Sequence, residues 1–159
     1  MTSALPHLVR RFFGVLRAAP LGPADQTEAA VLLREAESGL FWGQPRADQR
    51  HGLECARAVL AACPGRRDLA RAALLHDVGK RHAGLGPVGR ALATTLGFLH
   101  LPAPGRAAAY LAHTSSGAAD LAAAGAEPLV VAYARHHHTG RPGSITPEDW
   151  AALCRADHA

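Results

Sequence analysis

Four residues of this chain have the types and spacing of a metal site: His51, His76, Asp77 and Asp157. Imidazole and carboxylate groups bind divalent transition metals, and a hydrolytic centre needs only a few of them, with water in the remaining positions. Adjacent residues on a regular helix point about 100° apart, so His76 and Asp77 can share a cation only with favourable side-chain reach and a suitable bend of the chain. Gly79 indicates that the helix ends here, which allows such a bend. The competing interpretation is a purely structural polar network, which requires costly burial.

A second group of histidines lies further along the chain: His113, His136, His137 and His138. We predict that His113, His137 and His138 bind a second cation and that Asp77 bridges the two. Two cations about 3.5 to 4 Å apart can clamp the oxygens of a phosphate for attack by water. His136 is expected to be a bystander. The alternative for this group is a solvated, histidine-rich surface.

Two basic residues flank the first group, since Arg50 precedes His51 and Lys80 follows Asp77. Asp77 and Lys80 are predicted to be catalytic. Lys80 and Arg50 are predicted to bind the substrate, because ammonium and guanidinium groups hold phosphate oxygens. A lysine just past a helix end also interacts favourably with the helix dipole without any ligand, and this interpretation of Lys80 stays open.

The elements that must position these residues are all predicted to be helices. Apolar residues recur at helical spacing, and proline and glycine separate the segments. Asp68, Ser115 with Ser116, and Thr146 are predicted to cap their helices. The predicted segments are about 1–22, 23–43, 47–63, 68–77, 90–99, 106–113, 115–125, 128–138 and 146–157.

The first of these segments contains a basic apolar stretch, Leu8-Val9-Arg10-Arg11-Phe12-Phe13. We interpret it as a helix packed across the domain. The alternative is a segment that docks the domain on a partner or on an anionic membrane, with catalysis secondary.

The composition indicates one all-α domain. The chain has 159 residues, of which 48% are hydrophobic and 5% aromatic, and an apolar content dominated by Ala and Leu favours helices over a sheet. The net charge of +4 suits anionic ligands. Neither a nucleic-acid-reading motif nor a run long enough for a membrane span is present, so no specific nucleic acid and no membrane is predicted as a partner. Three cysteines without a C-x-x-C pair are interpreted as small core residues of a soluble, cytoplasmic protein.

The order His51, His76-Asp77-Val78-Gly79-Lys80 and Ala156-Asp157 resembles the H…HD…D signature of the HD superfamily of metal-dependent phosphohydrolases. The resemblance covers residues 48–159, and residues 1–47 are predicted to form an N-terminal helical extension packed on that HD domain. It implies a compact helical bundle with five core helices plus N-terminal helices. It also implies hydrolysis of a phosphomonoester or phosphodiester, with a nucleotide or another small phosphate ester as the substrate.

Further residues are similar to the HDIG and HD-GYP subgroups: Tyr110-Leu111-Ala112-His113, Gly117 and His137-His138. This similarity implies one or two divalent cations. Manganese and iron are the first choices, and magnesium, zinc, nickel and cobalt also occur in the family. Residues 139–143 lack the GYP loop, so cyclic di-GMP is not implied as the substrate. The missing loop leaves open a catalytically weak domain that binds a nucleotide as a sensor or scaffold, and a homodimer is left open as well.

Overall fold

The computed structural model describes residues 19–158, and this part of the chain is all-helical, without a β-strand. The prediction of an all-α fold is confirmed. The helix predicted before Gly22 falls mostly outside the described residues. The α-helices are α1 Pro23–Leu32, α2 Glu35–Trp42, α3 Arg46–Ala62, α4 Arg67–Leu75, α5 Pro87–Phe98, α6 Gly105–Leu111, α7 His113–Ala123, α8 Pro128–His136 and α9 Pro147–Asp157, with a 3₁₀ helix, Val78–His82, after α4.

Helix α4 lies at the centre of the hydrophobic core. Its buried residues are Leu69, Ala70, Ala72, Ala73, Leu74 and Leu75. A helix that is apolar on most sides must be enclosed by other elements, and α1, α3, α8 and α9 pack against it. His76 and Asp77 follow directly after the end of α4 at Leu75. They lie among the same enclosing helices and are buried as well.

Glycines allow two close approaches near the end of α4. Gly52 lies on α3, and a Cβ there would be 2.5 Å from the carbonyl oxygen of Leu74. Gly79 of the 3₁₀ helix lies against α7, where a Cβ would collide with the carbonyl oxygen of His113 and would be 2.7 Å from the backbone nitrogen of Gly117. The missing side chains at Gly52 and Gly79 therefore bring α3 and α7 up to the end of α4.

Helix α5 is joined to α3 by a buried ion pair. The two guanidinium nitrogens of Arg90 donate to the two carboxylate oxygens of Asp48 over 2.7 and 2.6 Å. The same guanidinium lies 5.9 Å from the ring centroid of Tyr110 in α6. A two-pronged pair of this kind fixes geometry as well as charge, so it holds the hairpin of α5 and α6 beside α3.

The single helix predicted over residues 23–43 is wrong, because two helices cover this range. Leu33 and Arg34 have extended backbones, which ends α1 at Leu32 and starts α2 at Glu35. The carboxylate of Glu37 accepts the backbone N–H of Arg34 over 2.9 Å. Glu37 thus satisfies an otherwise unpaired donor at the start of a new helix.

Two of the three predicted caps are also wrong. Arg66 rather than Asp68 is the residue before α4, and the Asp68 carboxylate accepts hydrogen bonds from the Arg66 guanidinium instead. Helix α7 begins at His113, and the hydroxyls of Ser115 and Ser116 donate backward to the carbonyl of Ala112. The Thr146 cap is confirmed, since its hydroxyl accepts the backbone N–H of Asp149 over 3.2 Å.

The first two helices belong to the same hydrophobic core as the rest of the chain. Leu21, Ala29, Leu32 and Phe41 pack in one cluster with the buried residues of α3, α4, α8 and α9. The division into an extension of residues 1–47 and a domain of residues 48–159 stays a prediction. Among the described helices, none combines the length and the apolar character needed to cross a membrane.

Candidate metal centre

The predicted first group comes together from three distant parts of the chain. His51 lies on α3, His76 and Asp77 follow α4, and Asp157 ends α9. Nε2 of His51 lies 3.0 Å from Oδ1 of Asp157. Nε2 of His76 lies 3.3 Å from the same oxygen and 3.4 Å from Oδ2 of Asp77. These separations are those of donor atoms that can share one small cation.

The predicted second group lies on the other side of Asp77. Nε2 of His113, at the start of α7, is 3.4 Å from Oδ1 of Asp77, and Nε2 of His137, just after α8, is 3.5 Å from it. Ligand atoms of His113, His137 and His138 all lie within 4.8 Å of one another. Asp77 therefore presents one oxygen to each group.

Backbone carbonyls fix the orientation of three of the imidazoles. In each case Nδ1 faces the carbonyl oxygen three residues earlier, which can only accept a hydrogen bond, so Nδ1 carries a proton and Nε2 points to the centre. These pairs are His76 with Ala73 at 2.8 Å, His113 with Tyr110 at 2.7 Å and His137 with Ala134 at 3.0 Å.

Three buried atoms in the centre have no hydrogen-bond partner among the described residues: Oδ1 of Asp77, Nε2 of His113 and Nε2 of His137. A neutral imidazole with its proton on Nδ1 presents only a lone pair to the carboxylate oxygen. Each buried polar atom left unpaired costs about 1 to 3 kcal/mol. A cation among these three atoms would remove that cost, so the residues fit a divalent metal.

The electrostatics of the first group keep both carboxylates charged. Burial would raise the pKa of Asp77, but Lys80 and His76 hold it well below its ordinary value. Burial likewise opposes ionisation of Asp157, whereas His51 and His76 lower its pKa. Burial disfavours a charged His76, but Asp77 and Asp157 raise the pKa of its imidazole. The two carboxylates therefore stay ionised, which is the form that binds a cation.

Two imidazoles of the second group, those of His137 and His138, are neutral at pH 7. Burial lowers the pKa of His137. Partial burial together with the neighbouring imidazoles of His137 and His113 lowers the pKa of His138 to about 4. Metals bind the neutral form of histidine, so these side chains are in the form that a ligand requires.

Lys80 lies inside the centre. It is the only lysine among the 17 Lys and Arg residues of the chain. Its side chain is buried, and Nζ donates to Oδ2 of Asp77. Burial opposes its charge, but Asp77 raises the pKa of the amine, so Lys80 stays protonated and serves as the counter-ion of Asp77.

Arg50 is the predicted site residue that the structure does not bring to the centre. Its Nη2 donates to the carbonyl oxygens of Ala19 and Pro20 over 3.3 and 3.1 Å. It therefore fastens the chain before α1, and a role in substrate binding stays a prediction. His136, expected to be a bystander, has its Nδ1 3.3 Å from the Thr139 hydroxyl.

Sequence reasoning missed two residues beside the centre. Cys55 is buried, and its Sγ lies 3.6 Å from Nε2 of His51. The ring of Tyr133 lies 5.8 Å from the rings of His76 and His137, and its hydroxyl donates to the carbonyl of Leu153 over 3.2 Å. The four-residue spacing of His51 and Cys55 on one helix was a usable signal, whereas nothing in the sequence marked Tyr133.

This arrangement offers two adjoining cation positions with a shared carboxylate, and a buried ammonium group beside them. Such a set can hold one or two divalent metals and present an anionic group to water. Comparisons with models of protein families, with curated proteins and with solved structures found no match to this chain.

Proposed function

We propose that this protein is a metal-dependent phosphohydrolase of the HD superfamily, which uses water to cleave a nucleotide or another small phosphate ester. One observation carries the proposal. The buried carboxylate of Asp77 faces His76 with one oxygen and His113 and His137 with the other. Within residues 19–158, its Oδ1 has no hydrogen-bond partner. A bridging carboxylate between two imidazole groups is the ligand arrangement of a binuclear hydrolytic centre.

Divalent cations in this centre would supply Lewis acidity for the attack of water on phosphorus. The chain's own contribution is to hold the ligands in place. Hydrogen bonds from Nδ1 to backbone carbonyls orient His76, His113 and His137. The apolar residues of α4 shield one side of the centre from solvent. Asp77 links the two groups, so its loss disrupts both.

Lys80 is the residue that we assign to the substrate. In the part of the chain that the structure describes, its ammonium group forms an ion pair with Asp77 alone. Cations bound at Asp77 would compete with this ion pair and repel the ammonium group. Lys80 would then be available to a phosphoryl oxygen, where a compact point charge binds well.

Hydrolysis of bis(p-nitrophenyl) phosphate and of a panel of nucleotides tests the proposal. We expect turnover with Mn²⁺ or Fe²⁺ in the wild type, loss of activity to background in Asp77→Asn, and full activity in His136→Ala. Lys80→Met should raise KM more than it lowers kcat, because the lysine is assigned to binding. A wild type that hydrolyses none of these esters with any divalent metal would overturn the proposal.

A nucleotide-binding sensor is the second candidate, and the absence of a GYP loop in residues 139–143 favours it. Calorimetry on the metal-loaded protein distinguishes the two. Tight binding of a nucleotide that is recovered intact after long incubation supports the sensor, whereas release of phosphate or of a shorter nucleotide supports the enzyme. Either role fits a reducing cytoplasm, since no disulfide joins cysteines among the described residues.

A further inference from the structure

We propose that two copies of this chain form a homodimer through the outer face of the hairpin of α5 and α6, which spans residues 87–111. We call this surface the hairpin face. The inference does not depend on the proposed function, because none of the side chains that form the face is a candidate ligand of the metal centre.

Large apolar side chains exposed to water are concentrated on this hairpin. Among the described residues there are seven such side chains, and all except Val31 lie here: Val88, Leu92, Phe98, Leu99, Leu101 and Leu111. A Cβ at Gly97 of α5 would lie 2.9 Å from Cδ2 of Leu111, so α6 adds its leucine to the surface formed by α5. Single exposed apolar residues are common, whereas a cluster marks an interaction site.

The outward residues of α5 have the spacing of a seam between two helices. Intervals of four, three and four residues separate Val88, Leu92, Thr95 and Leu99. This is the heptad spacing that packs one helix along another. The hydroxyl of Thr95 donates to the carbonyl of Ala91 over 2.9 Å, so it needs no partner in another molecule.

The buried residues of α5 lie opposite this seam. Arg90 and Ala93 are the buried residues of the helix, and at 3.6 residues per turn they point away from the seam. Arg90 turns towards Asp48 of α3. The seam of α5 is therefore free to contact another molecule while the other side of the helix packs on its own chain.

The area of the hairpin face suits a second copy of the chain. Its six side chains are between 39% and 81% exposed. They leave on the order of 600 Å² in water, taking roughly 150 to 200 Å² for a fully exposed side chain of this size. Pairing of two such faces about a two-fold axis buries on the order of 1,200 Å² before any polar rim is counted, which reaches the size of a specific interface.

The charges of the hairpin favour a second copy over a lipid surface. Residues 78–119 contain no Asp or Glu, and the charged residue of α5, Arg90, is buried against Asp48. Pairing of two seams thus brings no like charges together, and interface cores are depleted of charge. A helix that lies in an anionic membrane surface has lysine and arginine along its polar face, and α5 has none that is exposed.

Light scattering after gel filtration measures the mass of the whole chain, in EDTA so that metal binding plays no part. We expect twice 16.6 kDa for the wild type and 16.6 kDa for Leu92→Glu. Val31→Glu is the matched control and should keep the mass of the wild type. Val31 is 58% exposed and Leu92 is 59% exposed, but Val31 lies on α1, outside the hairpin face.

Phe98→Glu repeats the test at a side chain that is 81% exposed, and it decides the outcome if circular dichroism shows that Leu92→Glu has lost its helices. A folded Phe98→Glu and a folded Leu92→Glu that are both dimeric would overturn the assignment of this face. A monomeric wild type would overturn the dimer itself. Co-sedimentation of that monomer with vesicles of phosphatidylcholine and phosphatidylserine would assign the face to a lipid surface instead.

Discussion

Asp77 connects the two halves of the centre because of where the chain leaves its helix. Helix α4 ends at Leu75, and Asp77 has backbone angles of φ −100° and ψ 8°. Adjacent residues within a helix would point about 100° apart. The break after His76 lets the carboxylate lie 3.4 Å from the His76 imidazole while its other oxygen faces His113.

The sequence predicts which residues form the centre better than it predicts how they are held. The residue types and spacing identify His51, His76, Asp77, His113 and His137 as candidate ligands. The hydrogen bonds from Nδ1 to carbonyls depend on the course of the helices, and the sequence alone does not reveal them. The role of Lys80 as the counter-ion of Asp77 also depends on burial, which only the folded chain shows.

Lys80→Met should make folding depend on metal. Without metal, the variant leaves the buried carboxylate of Asp77 without its cationic partner. Removal of one partner from a buried ion pair lowers the free energy of unfolding by about 3 to 5 kcal/mol. Added Mn²⁺ or Zn²⁺ should recover most of this loss, because the cation replaces the ammonium charge. Urea unfolding of the variant and the wild type, once with EDTA and once with metal, measures the loss of stability and its recovery.

Arg81→Met is the control for that experiment. Arg81 is the next residue, but it pairs with Asp120 over 3.0 Å, away from Asp77. Its loss should lower the free energy of unfolding by less than about 1 kcal/mol, and added metal should not recover the difference. A Lys80→Met protein that is equally stable with EDTA and with metal would contradict the proposed competition at Asp77.

At the scale of elements, backbone contact between the 3₁₀ helix and α7 positions His113. Gly79→Ala places a Cβ against the His113 carbonyl, and overpacking of this kind costs about 1 to 3 kcal/mol or more. Gly39→Ala is the control, because a Cβ there meets nothing within 4 Å. It should stabilise α2 by about 0.5 to 1 kcal/mol. Denaturant unfolding measures the stability of both variants. A Gly79→Ala protein as stable as the wild type would contradict the close packing of Gly79 against α7.

The same contact is reinforced by Asp120 of α7, whose carboxylate lies 2.6 Å from His82 and 3.0 Å from Arg81. Burial would raise the pKa of Asp120, but these two partners hold it below its ordinary value of 3.8. A depressed carboxyl pKa contributes stability above the unfolded value and loses it as the pH falls through the folded value.

Asp120→Asn should therefore be less stable than the wild type at pH 7, by up to about 1 kcal/mol for an ion pair that is partly exposed. The difference should shrink below the ordinary pKa of 3.8 as the wild-type carboxylate takes up a proton. Urea unfolding at a series of pH values checks this expectation. A difference in stability between variant and wild type that stays constant down to acidic pH would show that the ion pairs of Asp120 do not stabilise the fold.

Helix bounds were predictable where local signals agree. The Thr146 cap and Pro147 fix the start of α9, and α3 ends at Ala62, one residue before the predicted end at 63. The break at Leu33 and Arg34 was not predictable, because the apolar pattern continues across it. Helix α7 starts at His113, before the serines predicted to cap it, and without a side-chain cap, so local serine signals did not mark its start.

At the scale of the whole molecule, the centre joins residues that are 106 positions apart in sequence, His51 and Asp157. A metal bound by ligands from α3, α4, α7, α8 and α9 would bind the folded chain and not the unfolded one. Such binding stabilises the fold by about 2.7 kcal/mol at a metal concentration a hundred times Kd.

Thermal unfolding with and without metal measures this coupling. The Tm of the wild type should rise with Mn²⁺ or Zn²⁺ and fall back with EDTA. Asp77→Asn should show no metal-dependent shift, whereas His136→Ala should behave as the wild type does. If metal raised the Tm of Asp77→Asn as much as that of the wild type, the metal would bind at a site that does not include Asp77.

Metal stoichiometry by elemental analysis is the most direct test of the centre that Asp77 joins. We predict two equivalents of divalent metal per chain for the wild type after loading and removal of free metal, one for His113→Ala and one for His51→Ala, and none for Asp77→Asn. A wild type that retains no metal, or variants that all retain as much as the wild type, would contradict the proposed centre.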